Sequence, residues 1–331
     1  MKRIVFYILT SILIGFASVA LINSLYRRKM DLVSLFSEIS PRVVVVAFSI
    51  FAAVYLVEAF RLMLVLRAEG YRISLKDSIY NNVVGYLFSF LTPSATGGQP
   101  FQIYHMSKLG VDSGYATSVM ASRFLEIAFG NTLVSILTLK VIKEWIKGYI
   151  VFAGILVNVS IALLTLLATT KPQIMLPLIR LTAKLARKPD LVDGFKKWGE
   201  SLRSSIKKMW SSHILYMMVD IAGWFVVTAL FFAPLYYIYG SLIGWNADFL
   251  KFFGVCVTVS TLAYFIPTPG SSGGFEAVYT SALSQVFGGG AKAVSVVFAW
   301  RLSTYYLQIF LGLVVAALWG RWTDVRRGSG G

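Results

Sequence analysis

Apolar residues dominate this chain in six long runs. The runs cover residues 4–25, 43–66, 112–139, 149–170, 213–239 and 292–319. Each run has about the 20 residues that an α-helix needs to cross the hydrocarbon core of a bilayer. The pattern therefore predicts an all-α polytopic membrane protein with six complete transmembrane helices.

The first run follows Met1-Lys2-Arg3, so a cleaved signal peptide is the competing interpretation. The run is long for the apolar region of a signal peptide, and no small-x-small cleavage site precedes Arg27-Arg28. We therefore expect residues 4–25 to be retained as a transmembrane helix.

Two further apolar segments, 78–109 and 247–288, are interrupted by the same skeleton. Thr-Pro-x-x-x-Gly-Gly stands at Thr92–Gly98 and again at Thr268–Gly274. Proline and glycine are poor residues for a helix interior, and unwound backbone survives in a membrane only where protein or a watery cavity satisfies it. We predict two re-entrant helical hairpins that break at Thr92-Pro93 and Thr268-Pro269.

The order of elements repeats along the chain. Residues 1–148 give helix, helix, hairpin, helix, and residues 149–327 give the same order in one transmembrane domain, 1–327. Three crossings per half is an odd number, so the two halves should be inverted repeats with broken helices near the midplane, as in many transporters. The alternative is eight full transmembrane helices. The closing residues 328–331 are expected to be a cloning remnant.

Positive charge sets the expected orientation. The net charge is +16, and segment 171–212 holds ten basic residues against three acidic ones. The positive-inside rule puts this segment and both termini in the cytoplasm of a bacterium or archaeon, although Arg27-Arg28-Lys29 then falls outside. Basic residues between apolar runs favour anionic lipid headgroups as partners and disfavour nucleic acid.

Segment 171–212 itself mixes apolar and basic residues. It predicts one or two amphipathic helices on the cytoplasmic surface, joined at Pro189-Asp190. A solvated linker with a membrane-facing stripe is the simpler interpretation, and a docking site for a partner is the alternative.

Cofactor chemistry has little support in the sequence. The single cysteine, Cys256, excludes an intrachain disulfide, and the two histidines, His105 and His213, lie far apart. No metal-ligand spacing and no phosphate-binding Gly-x-x-x-x-Gly-Lys loop occur. We expect no metal and no cofactor.

Charged residues inside the predicted spans are the candidate functional groups, because intramembrane charge is costly and marks function. They are Glu58, Arg61, Arg123, Glu126, Asp220, Glu276 and Arg301. Glu58/Arg61 and Arg123/Glu126 are each spaced i,i+3, which places each pair on one helix face. An internal structural pair is the alternative for Glu58/Arg61.

The repeat supplies one arginine per half. Arg123 follows Gly98 by 25 residues and Arg301 follows Gly274 by 27. The Gly-Gly pairs should leave backbone N–H groups free at helix starts, which bind anions, and allow close approach of a ligand. The predicted midplane phosphate site uses Arg123, Arg301, Glu126, Glu276, Asp220, Gly97, Gly98, Gln99, Gly273 and Gly274. Alternatively, Ser94, Thr96, Ser271 and Ser272 simply cap the breaks.

The two motif regions, Thr92–Glu126 and Pro267–Leu302, resemble the signature regions of the lysylphosphatidylglycerol synthase transmembrane family. This family is also called flippase-like and includes the membrane domain of the bacterial multiple peptide resistance factor. The resemblance covers nearly the whole chain and implies lipid translocation between leaflets. The family motifs map onto Gly98, Pro100, Arg123, Glu126, Pro269, Gly274, Glu276 and Arg301.

Two departures from the family pattern qualify the resemblance. Many members have Gly-Glu-Pro where this chain has Gly98-Gln99-Pro100, so no acidic role is expected there. Larger members append a soluble aminoacyl-transferase domain, and we expect no lipid lysinylation by this chain. The leading hypothesis is a non-enzymatic flippase or scramblase for a phosphate-bearing lipid; a membrane-embedded headgroup enzyme and a structural subunit of envelope assembly are the alternatives.

Overall fold

The computed structural model describes residues 39–142, 148–186, 188–263, 268–288 and 292–328, and within these residues the chain is helical with no β-strand. The elements are α1 (Pro41–Ala68), α2 (Leu75–Leu91), α3 (Gly98–Lys108), α4 (Ser113–Leu137), α5 (Leu139–Ile142), α6 (Gly148–Thr170), a 3₁₀ turn (Pro172–Met175), α7 (Leu176–Leu185), α8 (Asp190–Ser212), α9 (Ile214–Leu242), α10 (Phe249–Ala263), α11 (Gly274–Val286), α12 (Lys292–Arg301), a π-helical turn (Leu302–Tyr306) and α13 (Leu307–Gly328).

Five of the six predicted transmembrane helices are confirmed as helices long and apolar enough to cross a membrane. They are Pro41–Ala68, Ser113–Leu137, Phe152–Thr170, Ile214–Leu242 and Lys292–Trp319. The last of these combines α12, the π-helical turn and the start of α13. The sixth prediction, residues 4–25, lies outside the described residues.

Both interrupted segments form helical hairpins with antiparallel legs. In the first hairpin, α2 and α3, the Asn81 side chain donates to the Gln102 carbonyl at 3.0 Å, and the Phe88 and Phe101 rings stack with centroids 4.8 Å apart. In the second hairpin, α10 and α11, the Tyr279 hydroxyl donates to the Cys256 carbonyl at 3.0 Å. Each segment therefore turns back along itself at its Thr-Pro break.

The first hairpin begins and ends at one end of the bundle, next to the end of α1. There the Asp112 N–H donates to the Tyr71 hydroxyl at 3.3 Å. The start of α9 lies at this same end, because Glu69 pairs with Lys208 at 2.5 Å and with His213 at 3.1 Å.

The second hairpin begins and ends at the other end of α9. The Tyr239 hydroxyl donates to the Phe287 carbonyl at 2.7 Å, and Lys292 Nζ donates to the Leu242 carbonyl at 3.3 Å. The two hairpins thus enter the bundle from opposite ends.

Each hairpin also packs on the last helix of the other predicted half. Thr258 of α10 donates a hydrogen bond to Ser135 of α4 at 3.0 Å. In the same way α13 approaches α2 so closely that a Cβ added at Gly312 would lie 2.8 Å from the Leu87 Cβ. This reciprocal packing fits the predicted inversion of the halves, which stays a prediction.

The basic segment forms two amphipathic helices, α7 and α8, separated near Pro189 as predicted. Leu202, Ile206 and Met209 of α8 are buried, and Ser201 donates to Asp112 at 2.6 Å. The interpretation of the whole segment as a solvated linker with a membrane-facing stripe is therefore wrong for α8, whose apolar face covers the protein's own helices. Apolar residues of α7, such as Leu185, do remain exposed.

Cysteine labelling tests the predicted topology. Single cysteines at Lys76, Ser113 and Lys188, all exposed positions, should react with an impermeant thiol reagent from the cytoplasmic side, and a cysteine at Asp248 from outside. Native Cys256 is buried and should contribute little background. Labelling of Lys76 and Ser113 from opposite sides would mean that the first hairpin crosses the membrane; reversal at all four positions would invert the orientation.

Candidate functional site

The two Thr-Pro breaks meet each other inside the bundle. The Ser94 N–H donates to the Thr268 carbonyl at 3.2 Å, and the Gly270 N–H donates to the Thr92 carbonyl at 3.1 Å. The Tyr305 hydroxyl lies 3.2 Å from the carbonyl oxygen of Phe90 and also 3.2 Å from that of Pro269. Each hairpin thus supplies a backbone partner to the other. Further partners lie within the same break, as in the bonds from the Ala95 N–H to the Thr92 carbonyl and from the Ser271 N–H to the Thr268 carbonyl.

Residues in the left-handed region of backbone conformation shape both breaks. They are Ser94, Ala95, Gly270, Ser271 and Gly273. Thr92 adds a side-chain cap, because its hydroxyl accepts from the Gly97 N–H at 2.7 Å. Thr268 instead donates to the Ser272 carbonyl at 2.5 Å. Thr92 therefore caps the first break, although it is not one of the four residues expected to do so. The Thr96 and Thr268 hydroxyls donate to carbonyls instead.

The glycines of the first break allow the hairpin legs to pack closely. A Cβ on Gly98 would lie 2.0 Å from Ser89 Oγ and 2.8 Å from the Gly85 carbonyl oxygen, and one on Gly97 would lie 2.6 Å from Thr92 Cγ2. We expected these glycines to make room for a ligand. In this structure the room next to Gly98 is filled by the protein itself.

Replacement of Gly98 by alanine should therefore loosen the first hairpin. The Ser89 hydroxyl can rotate away, but the Gly85 carbonyl belongs to the backbone, and overpacking of this kind costs about 1–3 kcal/mol. We expect a lower thermal unfolding temperature in detergent. Gly194→Ala is the matched control, because nothing lies within 4 Å of a Cβ there and alanine favours helix over glycine. Equal unfolding temperatures for Gly98→Ala and the parent would contradict the packing role.

Arg301 lies beside the second break and is 4% exposed. Its Nε donates to Glu276 Oε1 at 2.8 Å and its Nη2 donates to Ser272 Oγ at 3.1 Å. Its guanidinium carbon stands 3.8 Å from the centre of the Tyr305 ring, a cation–π distance. Arg301, Glu276 and the second Gly-Gly pair therefore come together as predicted.

The helix start of α11 differs from the predicted anion site in one respect. Its first N–H groups were expected to be free, yet Gly273 N–H donates to Glu276 Oε2 at 2.6 Å. Gly274 and Phe275 donate to the Ser271 carbonyl at 3.1 and 3.2 Å. Glu276, the third residue of α11, therefore occupies the helix N-terminus where an anion was expected to bind. Its carboxylate accepts a hydrogen bond from a backbone N–H there and complements the helix dipole.

The helix start of α3 lacks such a carboxylate, since Pro100 stands where α11 has Glu276. Pro93, Thr96 and Pro100 around this break are exposed, and Gln99 is half-buried. Among the described residues, the Gly98 and Gln99 N–H groups have no acceptor. The first break is therefore the more open of the two.

A second group of predicted residues surrounds Arg61, where α1, α4 and α9 meet. Arg61 Nε donates to Asp220 Oδ1 at 2.8 Å, Nη1 to Glu58 Oε1 at 3.1 Å and Nη2 to Glu126 Oε2 at 2.5 Å. Arg123 Nη1 lies 2.9 Å from Glu58 Oε2, and Arg123 Nη2 lies 3.9 Å from Asp220 Oδ1. We call Glu58, Arg61, Arg123, Glu126 and Asp220 the five-residue cluster.

This arrangement changes the predicted pairing. The i,i+3 pair Glu58/Arg61 forms, but Arg123 pairs with Glu58 of α1 while Glu126 pairs with Arg61. Within the described part of the chain, no hydrogen bond or ion pair connects Arg123 to Gly97, Gly98 or Gln99. The predicted residues are therefore distributed over the meeting point of the breaks and the five-residue cluster, and Arg123 and Arg301 are held by separate groups.

Sequence reasoning missed two parts of the site. Arg61 looked like half of a local pair, yet it contacts three carboxylates from three helices. The π-helical turn directly after Arg301 was also unforeseen; π-helical turns inside α-helices often mark functional sites. The hydroxyl-rich run Ser303-Thr304-Tyr305-Tyr306 is the only signal that pointed to it.

These features define a class: a polytopic α-helical membrane protein with two opposed helical hairpins whose breaks meet beside a buried arginine. The chain belongs to the family described as the lysylphosphatidylglycerol synthase TM region, whose model matches residues 8–312. This finding confirms the resemblance drawn from the two motif regions.

Two curated relatives are similar over most of the chain. A UPF0104 membrane protein of Archaeoglobus fulgidus is 24% identical over 293 residues, which is 82% of this chain and 84% of the relative. A UPF0104 membrane protein of Methanocaldococcus jannaschii is 24% identical over 307 residues, or 88% of each chain. No solved structure matches.

Proposed function

We propose that this protein moves a phospholipid or a related phosphate-bearing lipid between the leaflets of a membrane, as a flippase or scramblase. The observation that carries the proposal is the meeting of the two breaks from opposite ends of the bundle, beside the buried Arg301. Broken helices that meet near the midplane can open alternately towards either side, which is how many transporters work. We place the protein in the cytoplasmic membrane of a bacterium or archaeon, with both termini in the cytoplasm.

Arg301 is the proposed partner of the lipid phosphate. A buried guanidinium is costly in a membrane unless it has a function, and its planar fork binds phosphate oxygens through two hydrogen bonds. Ser272 already contacts Arg301, and the buried Ser271 hydroxyl has no partner among the described residues. The phosphate would replace Glu276 on the guanidinium, and the two serine hydroxyls would donate to it.

A groove between α1 and α13, whose lining includes the exposed Val45 and Phe310, suits an acyl chain of the proposed lipid. This groove of about 300 Å³ lies beside the π-helical turn and has an entirely apolar lining. It is lined by Val45, Phe48, Leu307, Phe310, Leu311 and Val314. An acyl chain fits such a surface, whereas a water-soluble phosphate compound would leave it unused.

The other candidate residues receive supporting roles in this proposal. The open first break presents the half-buried Gln99 and its backbone N–H to the headgroup, while the buried Gly98 packs the hairpin legs together. The five-residue cluster ties α1, α4 and α9 into a fixed frame against which the hairpins move. Glu126 and Asp220 contribute to that frame and do not touch the phosphate.

Reconstitution tests the function directly. Purified protein is placed in phospholipid vesicles with trace amounts of a fluorescent phospholipid or of a fluorescent diacylglycerol that lacks phosphate. An impermeant reductant destroys only outer-leaflet fluorescence. We expect phospholipid from the inner leaflet to become accessible faster than in protein-free vesicles, without any protein-dependent acceleration for the phosphate-free lipid. If inner-leaflet phospholipid becomes accessible at the same rate as in protein-free vesicles, the proposed function is wrong.

A further inference from the structure

The five-residue cluster carries an imbalance of charge. It contains three carboxylates, from Glu58, Glu126 and Asp220, and two guanidiniums, from Arg61 and Arg123. The side chains of Glu126, Asp220 and Arg61 are only 2%, 1% and 6% exposed. If every group is ionised, the cluster keeps one uncompensated negative charge inside the bundle.

An unpaired buried charge is unstable. A buried carboxylate without a full set of partners takes up a proton in preference to remaining charged. Arg61 contacts both Glu126 and Asp220, through its Nη2 and Nε atoms, so one cation serves two carboxylates. Glu58 is different, because both of its carboxylate oxygens lie against a guanidinium.

The hydrogen bonds of Glu126 indicate where a neutralising proton would bind. Glu126 Oε2 is held by Arg61, whereas Glu126 Oε1 is buried and has no partner among the described residues. A proton on Oε1 would neutralise the cluster without disturbing the bond to Arg61. The charged groups that act on Glu126 are Asp220 from α9, Arg61 from α1 and Arg123 from α4, and Glu58 contacts both arginines.

We propose that Glu126 binds one proton per transport cycle and thereby couples lipid movement to a proton gradient. The coupling rests on the proposed lipid transport, whereas the proton site rests on the geometry of the cluster alone. The proton comes from water on one side and leaves to water on the other, so no further reactant is needed. Its departure leaves the net negative charge in the frame formed by α1, α4 and α9, and this charge biases the position of the hairpins against that frame.

A proton fits this site better than a metal cation. Two guanidiniums stand among the carboxylates and would repel a sodium or calcium ion, which also needs about six oxygen ligands. The described residues include no group of three or more acidic, histidine or cysteine side chains that could hold a metal ion. A proton needs neither space nor additional ligands.

Infrared spectroscopy of the purified protein tests the proton site without any transport. We expect near-neutral samples to show the carbonyl stretch of a protonated, buried carboxylic acid. Glu126→Gln should remove this band. Two control variants should retain it: Glu276→Gln, because Glu276 is paired with Arg301 in the parent, and Glu200→Gln, because Glu200 is exposed. Absence of the band in the parent, or its loss only in Asp220→Asn, would overturn the assignment to Glu126.

Vesicles with an imposed pH gradient test the coupling. One proton per lipid predicts about a tenfold shift in the distribution of labelled phospholipid between leaflets for each pH unit. Glu126→Gln should abolish the shift, and Glu200→Gln should keep it. Lipid movement that ignores the pH gradient, or that follows a sodium gradient, would overturn the coupling and leave the proposed function intact. If the infrared band of protonated Glu126 is present but no lipid moves, the proposed function and the coupling are both refuted. The assignment of the proton site to Glu126 then still holds.

Discussion

Glutamine in place of Arg301 should stop lipid translocation and also destabilise the protein. Glu276 would be left buried with no cation, and breaking a buried ion pair by removing one partner typically costs about 3–5 kcal/mol. The single variant therefore cannot separate a structural from a functional role. The double variant Glu276→Gln/Arg301→Gln can, because two neutral amides can hydrogen-bond to each other and leave no buried charge.

We expect the double variant to regain most of the parent's unfolding temperature in detergent while its translocation rate stays about 10- to 100-fold below the parent's. That range corresponds to the roughly 1.5–3 kcal/mol of a hydrogen bond to a charged group. Arg203→Gln makes the same substitution at an exposed position and should leave both quantities unchanged. A folded double variant that transports at the parent rate would rule out Arg301 as the phosphate partner.

Loss of Arg61 should destabilise the protein more than loss of any other charged side chain of the five-residue cluster. In Arg61→Gln, three carboxylates would face Arg123 alone, and at least two close contacts would lose their cation. We expect a loss of stability at or above the roughly 3–5 kcal/mol typical of a broken buried pair, seen as a much lower unfolding temperature and poor recovery from membranes.

The matched control is Arg67→Gln, six residues further along α1 and exposed, which should behave like the parent. Adding Asp220→Asn to Arg61→Gln removes one of the stranded carboxylates and should recover part of the loss. An Arg61→Gln protein as stable as Arg67→Gln would mean that the five-residue cluster does not hold α1, α4 and α9 together.

Several parts of this fold could be predicted because their cause is local in sequence. The apolar runs fix where helices cross, since their length must match the hydrocarbon core. The Thr-Pro and Gly-Gly breaks fix where α2 ends and where α3 and α11 begin, because proline removes a donor and the residues around it take left-handed conformations. The basic composition of 171–212 and its apolar spacing predicted α7 and α8, although not that α8 would cover the protein.

The partners of the charged residues could not be predicted in the same way. Spacing i,i+3 suggested that Arg123 pairs with Glu126, but helix packing brings Glu58 to Arg123 and Arg61 to Glu126. Nothing within 92–98 or 268–274 indicates that the two breaks donate hydrogen bonds to each other. The residues next to Gly98 in sequence also do not indicate that Ser89 occupies the space beside it.

The sequence by itself thus determined which segments are helical, where two of them break and which charges lie inside the membrane. These properties follow from residue type and from the bilayer's demand that backbone groups be satisfied. Only the tertiary structure decided that the breaks meet, that Arg301 is held by Glu276, and that Arg61 gathers three acids. The physical reason is that buried charges and unwound backbone need partners, and those partners can lie far away in sequence, as Phe90 and Tyr305 show at a separation of 215 residues.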